Sequence, residues 1–298
     1  MFENAKLHIY MNIIDDTELI LNEENKIYHL NLSKEQIAND IILVGDPDRV
    51  NLISDKFDEI KYKIQHREFI THTGILRGKK ISAISTGIGT DNIDIVVNEL
   101  DALVNIDFKN RTVNKKKKSL NLIRIGTSGA LQNNIKIDTI LASSFALGLD
   151  NLAHFYSKSE IIEKDMSMAF LKKTKWPKEL SSPYIVKASN NLISLFKDLP
   201  AGITATAPGF YGPQGRSLRI KPSITNFHDN MMYFSFNNEK IKNFEMETSA
   251  LYYLGQTLGH NTLTICAVIG NRINKEYSKN YQKTIENTID LVLSRICR

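Results

Sequence analysis

Cysteine is nearly missing: two in 298 residues, Cys266 inside an apolar run and Cys297 at the tail, with no metal-ligand spacing. That excludes the small disulfide-built scaffolds and fits a reducing compartment. Missing too is any apolar window that approaches a membrane span, and the opening MFENAKLHIYMNIIDD lacks the apolar core of a signal peptide. A cytoplasmic protein with no membrane partner is expected. There is no Gly/Pro/Ser-rich linker and no internal repeat. The chain therefore reads as one domain, residues 29–298, behind an N-terminal arm, residues 1–28, with Met11 as an alternative start.

An excess of positive charge is present but poorly distributed for nucleic acid. The formal net charge of +5 owes much to Lys115-Lys116-Lys117-Lys118. No aromatic residue interleaves with these lysines as a stacking groove requires, so the run reads as a solvated loop. His66, His72 and His154 are too scattered for a metal site and read as hydrogen-bonded structural residues.

What is there is an ordinary folded composition, 42% apolar and 24% charged. From Ile41 onward, β-rich runs alternate with helical patterns. Helices are predicted over 47–57, 92–104, 160–173, 248–258 and 279–296. Strands are predicted within 59–86 and in NLIRIG, TILASSFAL, GITATA and TLTICAVIG. The order argues an α/β protein with a largely buried sheet.

The stretch IILVGDPDRV (41–50) admits two readings. An apolar strand running into Asp-x-Asp is how some phosphatases present an aspartate nucleophile, but no convincing paired acidic motif follows downstream. As an anion cradle every residue has a use. Gly45 lets the backbone approach a ligand, Asp46 can cap, Pro47 suits the first helical position, and Arg49 falls in the first turn. NLIRIGTSGAL (121–131) repeats the logic: a strand carries Arg124 into Gly126-Thr127-Ser128-Gly129, small residues expected to expose amides and hydroxyls. Gly-x-Ser-x-Gly is absent, which disfavours a serine hydrolase. Thr86-Gly87-Ile88-Gly89 lacks the third glycine of a dinucleotide site and reads as a turn near the ligand. In Phe244-Glu245-Met246-Glu247, an extended segment would place both glutamates on one face.

Together GDPDRV, HREF (66–69), STGIG (85–89), IRIGTSGALQ, FYGPQGR (210–216) and FEMETSAL (244–251) resemble nucleoside phosphorylase family 1, in its uridine phosphorylase branch. The resemblance runs from YHLNLS (28–33) to Asn271-Arg272. It implies a single-domain nucleoside phosphorylase fold, a central mixed β-sheet or distorted barrel flanked by helices. It also implies cleavage of a nucleoside by inorganic phosphate, a co-substrate, with no cofactor and no catalytic metal.

By the same resemblance, Gly45, Arg49, Arg124 and Thr127 hold phosphate, with Arg67 reaching in from a neighbouring subunit. Glu245, Met246 and Glu247 take the ribose, with His29 of a neighbour near the 5′-hydroxyl. Ser128, Gly129, Phe210, Gln214, Arg216 and Arg272 take the base. Arg124, Arg216 and Glu247 carry the catalysis, and the assembly is a homo-oligomer, a dimer at least and a hexamer by family analogy. Glu68 resembles an interface position that binds a monovalent cation. The purine-specific relatives carry an Asp where this chain has Gly270-Asn271-Arg272, which favours a pyrimidine base. One departure, Gly212-Pro213 in place of Pro-Gly, bears on where Gln214 points.

Overall fold

The computed structural model describes residues 13–157, 160–224 and 226–297. The apolar run IILV opens the sheet as β1 (Asp40–Val44), buried along its whole length because strands flank it on both sides. After helix α1 (Asp48–Ser54) come β2 (Glu59–His66), β3 (Phe69–Leu76), β4 (Lys79–Ser85) and helix α2 (Thr90–Asn105). Next are β5 (Asn121–Ala130), β6 (Ile140–Gly148), α3 (Lys164–Thr174), β7 (Tyr184–Lys187) and β8 (Ala201–Thr206). The chain ends with α4 (Phe227–Met232), β9 (Glu239–Glu245), α5 (Thr248–Thr257), β10 (Asn261–Asn271) and α6 (Tyr281–Ile296).

These strands form one mixed sheet. In it β9, β8, β6, β10 and β5 pair in sequence, and β9 returns to pair with β5, which closes a five-stranded barrel. From β5 the sheet continues outward through β1, β4, β3 and β2. Closure removes two edges and brings the end of β9 against β5, where Phe244 pairs with Gly129. The helices follow from period 3.6. In α6 the buried Thr284, Ile285, Thr288, Ile289, Val292, Leu293 and Ile296 form one stripe, which packs on β10, while α2 packs on α5. No helix among the described residues is long and apolar enough to cross a membrane.

Two expectations change. The strand carrying Arg124 does not give out at Gly126. It runs to Ala130 with its backbone in the ladder, because Thr127 and Ser128 pair with Ala267 and Val268 on β10. The segment after Glu245 is not extended: β9 stops there, and Glu247, at φ −138 and ψ −26, begins α5. Of the arm, residues 1–12, Met11 included, lie outside the described residues. The remainder packs down, with Leu19 and Ile27 buried and Arg111 donating to the Ile14, Asp15 and Leu19 carbonyls at 2.6–2.8 Å. Lys115–Lys118 are exposed.

Candidate active site

Arg124 sits mid-strand on β5, level with Leu43 of β1 and Thr264 of β10, and is buried. Gly126 follows two residues along the same face. A Cβ there would meet the Arg124 Nη1 at 1.9 Å, so the guanidinium lies in the space this glycine leaves. Its Nη1 is 3.0 Å from Glu245 Oε2, and its Nη2 pairs with Glu247 Oε2. Burial opposes the charge, but the Glu247 and Glu245 carboxylates outweigh it and hold the arginine above its ordinary pKa. Glu247 moves upward: burial pushes it up and repulsion from Glu245 adds, against Arg124 and the Gly89 N–H. That N–H, at the first turn of α2, donates to Glu247 Oε1 at 2.8 Å.

The two glutamates converge through a bend rather than a shared strand face. Glu245 accepts from the Thr206 hydroxyl (2.8 Å), the Glu247 N–H (3.0 Å) and the Thr248 N–H (3.1 Å), so it caps α5 while facing Arg124. Met246 between them is half-buried. Cys266 lies against Arg124 and Ser128, and burial pushes its thiol up to about 12.

On the β1 side, Gly45 leads into α1. Asp46 accepts the Asp48 N–H at 3.1 Å and faces Arg49 at 3.8 Å. Burial lowers the Arg49 pKa; Asp46 opposes this, Arg124 lowers it further and Glu247 raises it, so these groups share one electrostatic site. Thr127 is half-buried farther along β5. Ser128 is buried, its hydroxyl taken by the Asn243 amide at 2.8 Å.

A second cluster holds the residues expected at the base. Gln214 is buried in the short helical turn Gly212–Gln214, and Gly215 follows at φ +67. Arg216 donates from Nη1 to Gln214 Oε1 (2.5 Å) and the Phe210 carbonyl (2.7 Å), and lies 3.7 Å over the Phe210 ring. Its charge also faces Phe244, 5.7 Å away. A Cβ on Gly129 would touch both Phe244 and Arg272, which brings Gly129 and Arg272 to the same place. Burial, then Arg272, pulls Arg216 down to about 10, and burial lowers Arg272. Asn271 is fully engaged: its amide donates to the Gln132 and Ile135 carbonyls at 2.9 and 2.7 Å, and its oxygen accepts the Ile273 and Asn274 N–H groups.

His29 and Arg67 share a third location. Arg67, at the β2–β3 turn with φ +53, is exposed, donates to the Tyr28 hydroxyl at 3.1 Å and lies over that ring. The Tyr28 ring stands edge-on to His29, whose Nδ1 is 2.6 Å from Glu99. Glu68 is exposed beside them. His66, His72 and His154 bond to the His29 carbonyl, the Ser54 hydroxyl and the Ser182 carbonyl. Among the described residues, no group of three or more His, Cys, Asp or Glu is placed to hold a metal ion.

Sequence reasoning missed Thr206, which orders Glu245, and His228, whose ring stacks on Phe244. Thr206 lies in the predicted strand GITATA and had a position but no role. His228 falls in an unpatterned stretch with no local signal.

The chain belongs to the phosphorylase superfamily, whose family model matches residues 40–298. Uridine phosphorylase of Thermococcus kodakarensis is 30% identical over 260 residues, 86% of this chain and 82% of that protein. A DeoD-type purine nucleoside phosphorylase of Bacillus velezensis is 27% identical over 273 residues, 90% of this chain and 98% of that protein. Among solved structures, a Trypanosoma brucei nucleoside phosphorylase described as showing uridine phosphorylase activity superposes with a TM-score of 0.84 at 26% identity, covering 93% of this chain and 98% of that one.

Proposed function

We propose that the chain cleaves uridine with inorganic phosphate, giving uracil and ribose 1-phosphate, a step of nucleoside salvage. The observation that carries this reading is a set of buried guanidinium nitrogens. Arg49 Nε and Arg124 Nε and Nη1 have no hydrogen-bond acceptor among the described residues, since the contact of Nη1 with Glu245 is an ion pair without hydrogen-bond alignment. Leaving such donors buried costs roughly 1–3 kcal/mol each, a cost that an oxyanion would relieve.

Phosphate held by Gly45, Arg49, Arg124 and Thr127 presents an oxygen to C1′ of the ribose. The C1′–O bond forms as the C1′–N1 bond breaks, and the electron pair passes into the uracil ring and its oxygens. Glu247, with Met246 beside it, takes the ribose hydroxyls, while Glu245 holds the bend and Arg124 from beneath. Gln214 reads the base through its amide. Arg216 and Arg272, cations whose charge is disfavoured by burial, gain a partner as the base becomes anionic. Ser128 backs this pocket through Asn243, next to Gly129 and the Phe210 face. His29 and Arg67, joined through Tyr28, reach a neighbouring subunit's ribose and phosphate, in a dimer or in a hexamer built as a trimer of dimers, in the cytoplasm.

The test is turnover of uridine, thymidine and inosine, each with and without phosphate. Uridine cleaved only with phosphate is expected. Inosine preferred over uridine would reassign the enzyme to purines. Cleavage without phosphate would make it a hydrolase, and stabilisation by ligand without turnover a binder. Mixing inactive Arg67→Ala and Arg124→Ala subunits should recover activity, because one site in each mixed dimer is intact.

A further inference from the structure

We propose that His228, which lies outside every matching motif, is a positioning residue of the base site: its imidazole holds the 212–216 turn so that Gln214 and Arg216 meet the pyrimidine together. This rests on the reading of that cluster as the base pocket.

His228 Nε2 is 3.1 Å from the Gln214 carbonyl oxygen. A carbonyl only accepts, so Nε2 carries the proton and donates. The turn's own hydrogen bonds run from the Gln214, Gly215 and Arg216 N–H groups to the Tyr211 and Gly212 carbonyls, at 2.8–3.1 Å. His228 therefore ties the turn to the rest of the molecule through α4. The turn is also shaped around the ring. Gly215 sits at φ +67, and a Cβ there would meet His228 Cε1 at 2.9 Å.

The other face of the imidazole lies nearly parallel to Phe244, with centroids 6.2 Å apart and planes 23° from each other. Phe244 in turn faces Arg216 and Gly129. One donor thus fixes a carbonyl flanked by the two side chains that read the base, and these are bonded to each other. Charged groups facing the ring are Arg272 just past the end of β10, Arg216 on the turn and Asp229 on α4 itself. Burial first, then Arg272, holds the imidazole below its ordinary pKa, so it acts as a neutral donor that adds no third cation.

The test compares His228→Phe, which keeps an aromatic ring and removes the donor, with His228→Gln, which keeps a donor. For His228→Phe the uridine KM should rise about tenfold, the scale of one lost hydrogen bond. Its phosphate KM should stay within about twofold of wild type. His228→Gln should stay within about threefold of wild type for both. An unchanged uridine KM in His228→Phe, or an equal rise in the phosphate KM, would overturn the proposal. Should His228→Phe not fold, His228→Gln decides alone, and a uridine KM more than about fivefold above wild type sinks the assignment. Wild-type turnover of uridine tests the proposed function separately, since only the ratio between variants reports on His228.

Discussion

Glu245 faces Arg124 at 3.0 Å while accepting the Glu247 N–H at 3.0 Å. One carboxylate thereby sets both the arginine on β5 and the backbone of the glutamate that opens α5. The relationship explains how two parts of the chain 123 residues apart meet as a pair that burial by itself would disfavour.

Removing the arginine should therefore do more than abolish turnover. Arg124→Ala leaves two carboxylates buried against each other, and a loss of about 3–5 kcal/mol of stability is expected. Adding Glu247→Gln to that variant should restore part of the loss by removing one charge. Denaturant unfolding of the single and double variants measures both effects, and a double variant less stable than Arg124→Ala would contradict the charge argument.

The raised pKa of Glu247 predicts an acid limb. Its carboxylate must be ionised to accept ribose hydroxyls, so kcat/KM should rise with pH through a value above the ordinary 4.5. The sign for stability is opposite. Between 4.5 and the folded value the native state binds the proton and the unfolded chain does not, so this group's contribution grows as pH falls and is lost as pH rises. Activity should accordingly fail at a higher pH than folding does. Parallel pH–rate and pH–Tm curves check this, and a Glu247→Gln profile should lack the step.

Gly126 should tolerate no side chain. A methyl group would stand 1.9 Å from Arg124 Nη1, so Gly126→Ala must push the guanidinium aside. The expected cost is about 1–3 kcal/mol in folding, typical of overpacking, with a phosphate KM raised by about tenfold or more. Phosphate-dependent kinetics beside thermal unfolding would distinguish a displaced arginine from simple loss of fold.

Asn271→Asp should not create a purine enzyme. The Asn271 amide donates to two carbonyls, and an acid there would set oxygen against oxygen and cost about 1–3 kcal/mol. Turnover of inosine by this variant should remain at the wild-type level. A substantial gain would mean that the side chain is free to reach a ligand.

Much of the fold was legible because its signals are local. The buried run of β1, the stripe of α6 and the alternation of strands and helices follow from burial on both faces or on one. The continuation of β5 through Gly126-Thr127-Ser128-Gly129 was not legible, because small residues read as a loop until β10 is there to pair with them. Likewise, the spacing of Glu245 and Glu247 suggested a common strand face, whereas capping of α5 by Glu245 bends the chain between them.

By itself the sequence determined which residues carry charge, which positions lack a side chain, and the order in which apolar runs enter the sheet. It also carried the motifs that place the chain in its family. Tertiary structure alone decided that Arg124 lies between two glutamates, that Thr206 orders one of them, and that His228 stacks behind Phe244. These contacts need strands brought side by side: Thr206 meets Glu245 across the β8–β9 ladder, and closing the barrel sets β9 against β5, where the charges of Arg124 and the glutamates face one another in a buried site that strengthens their attraction.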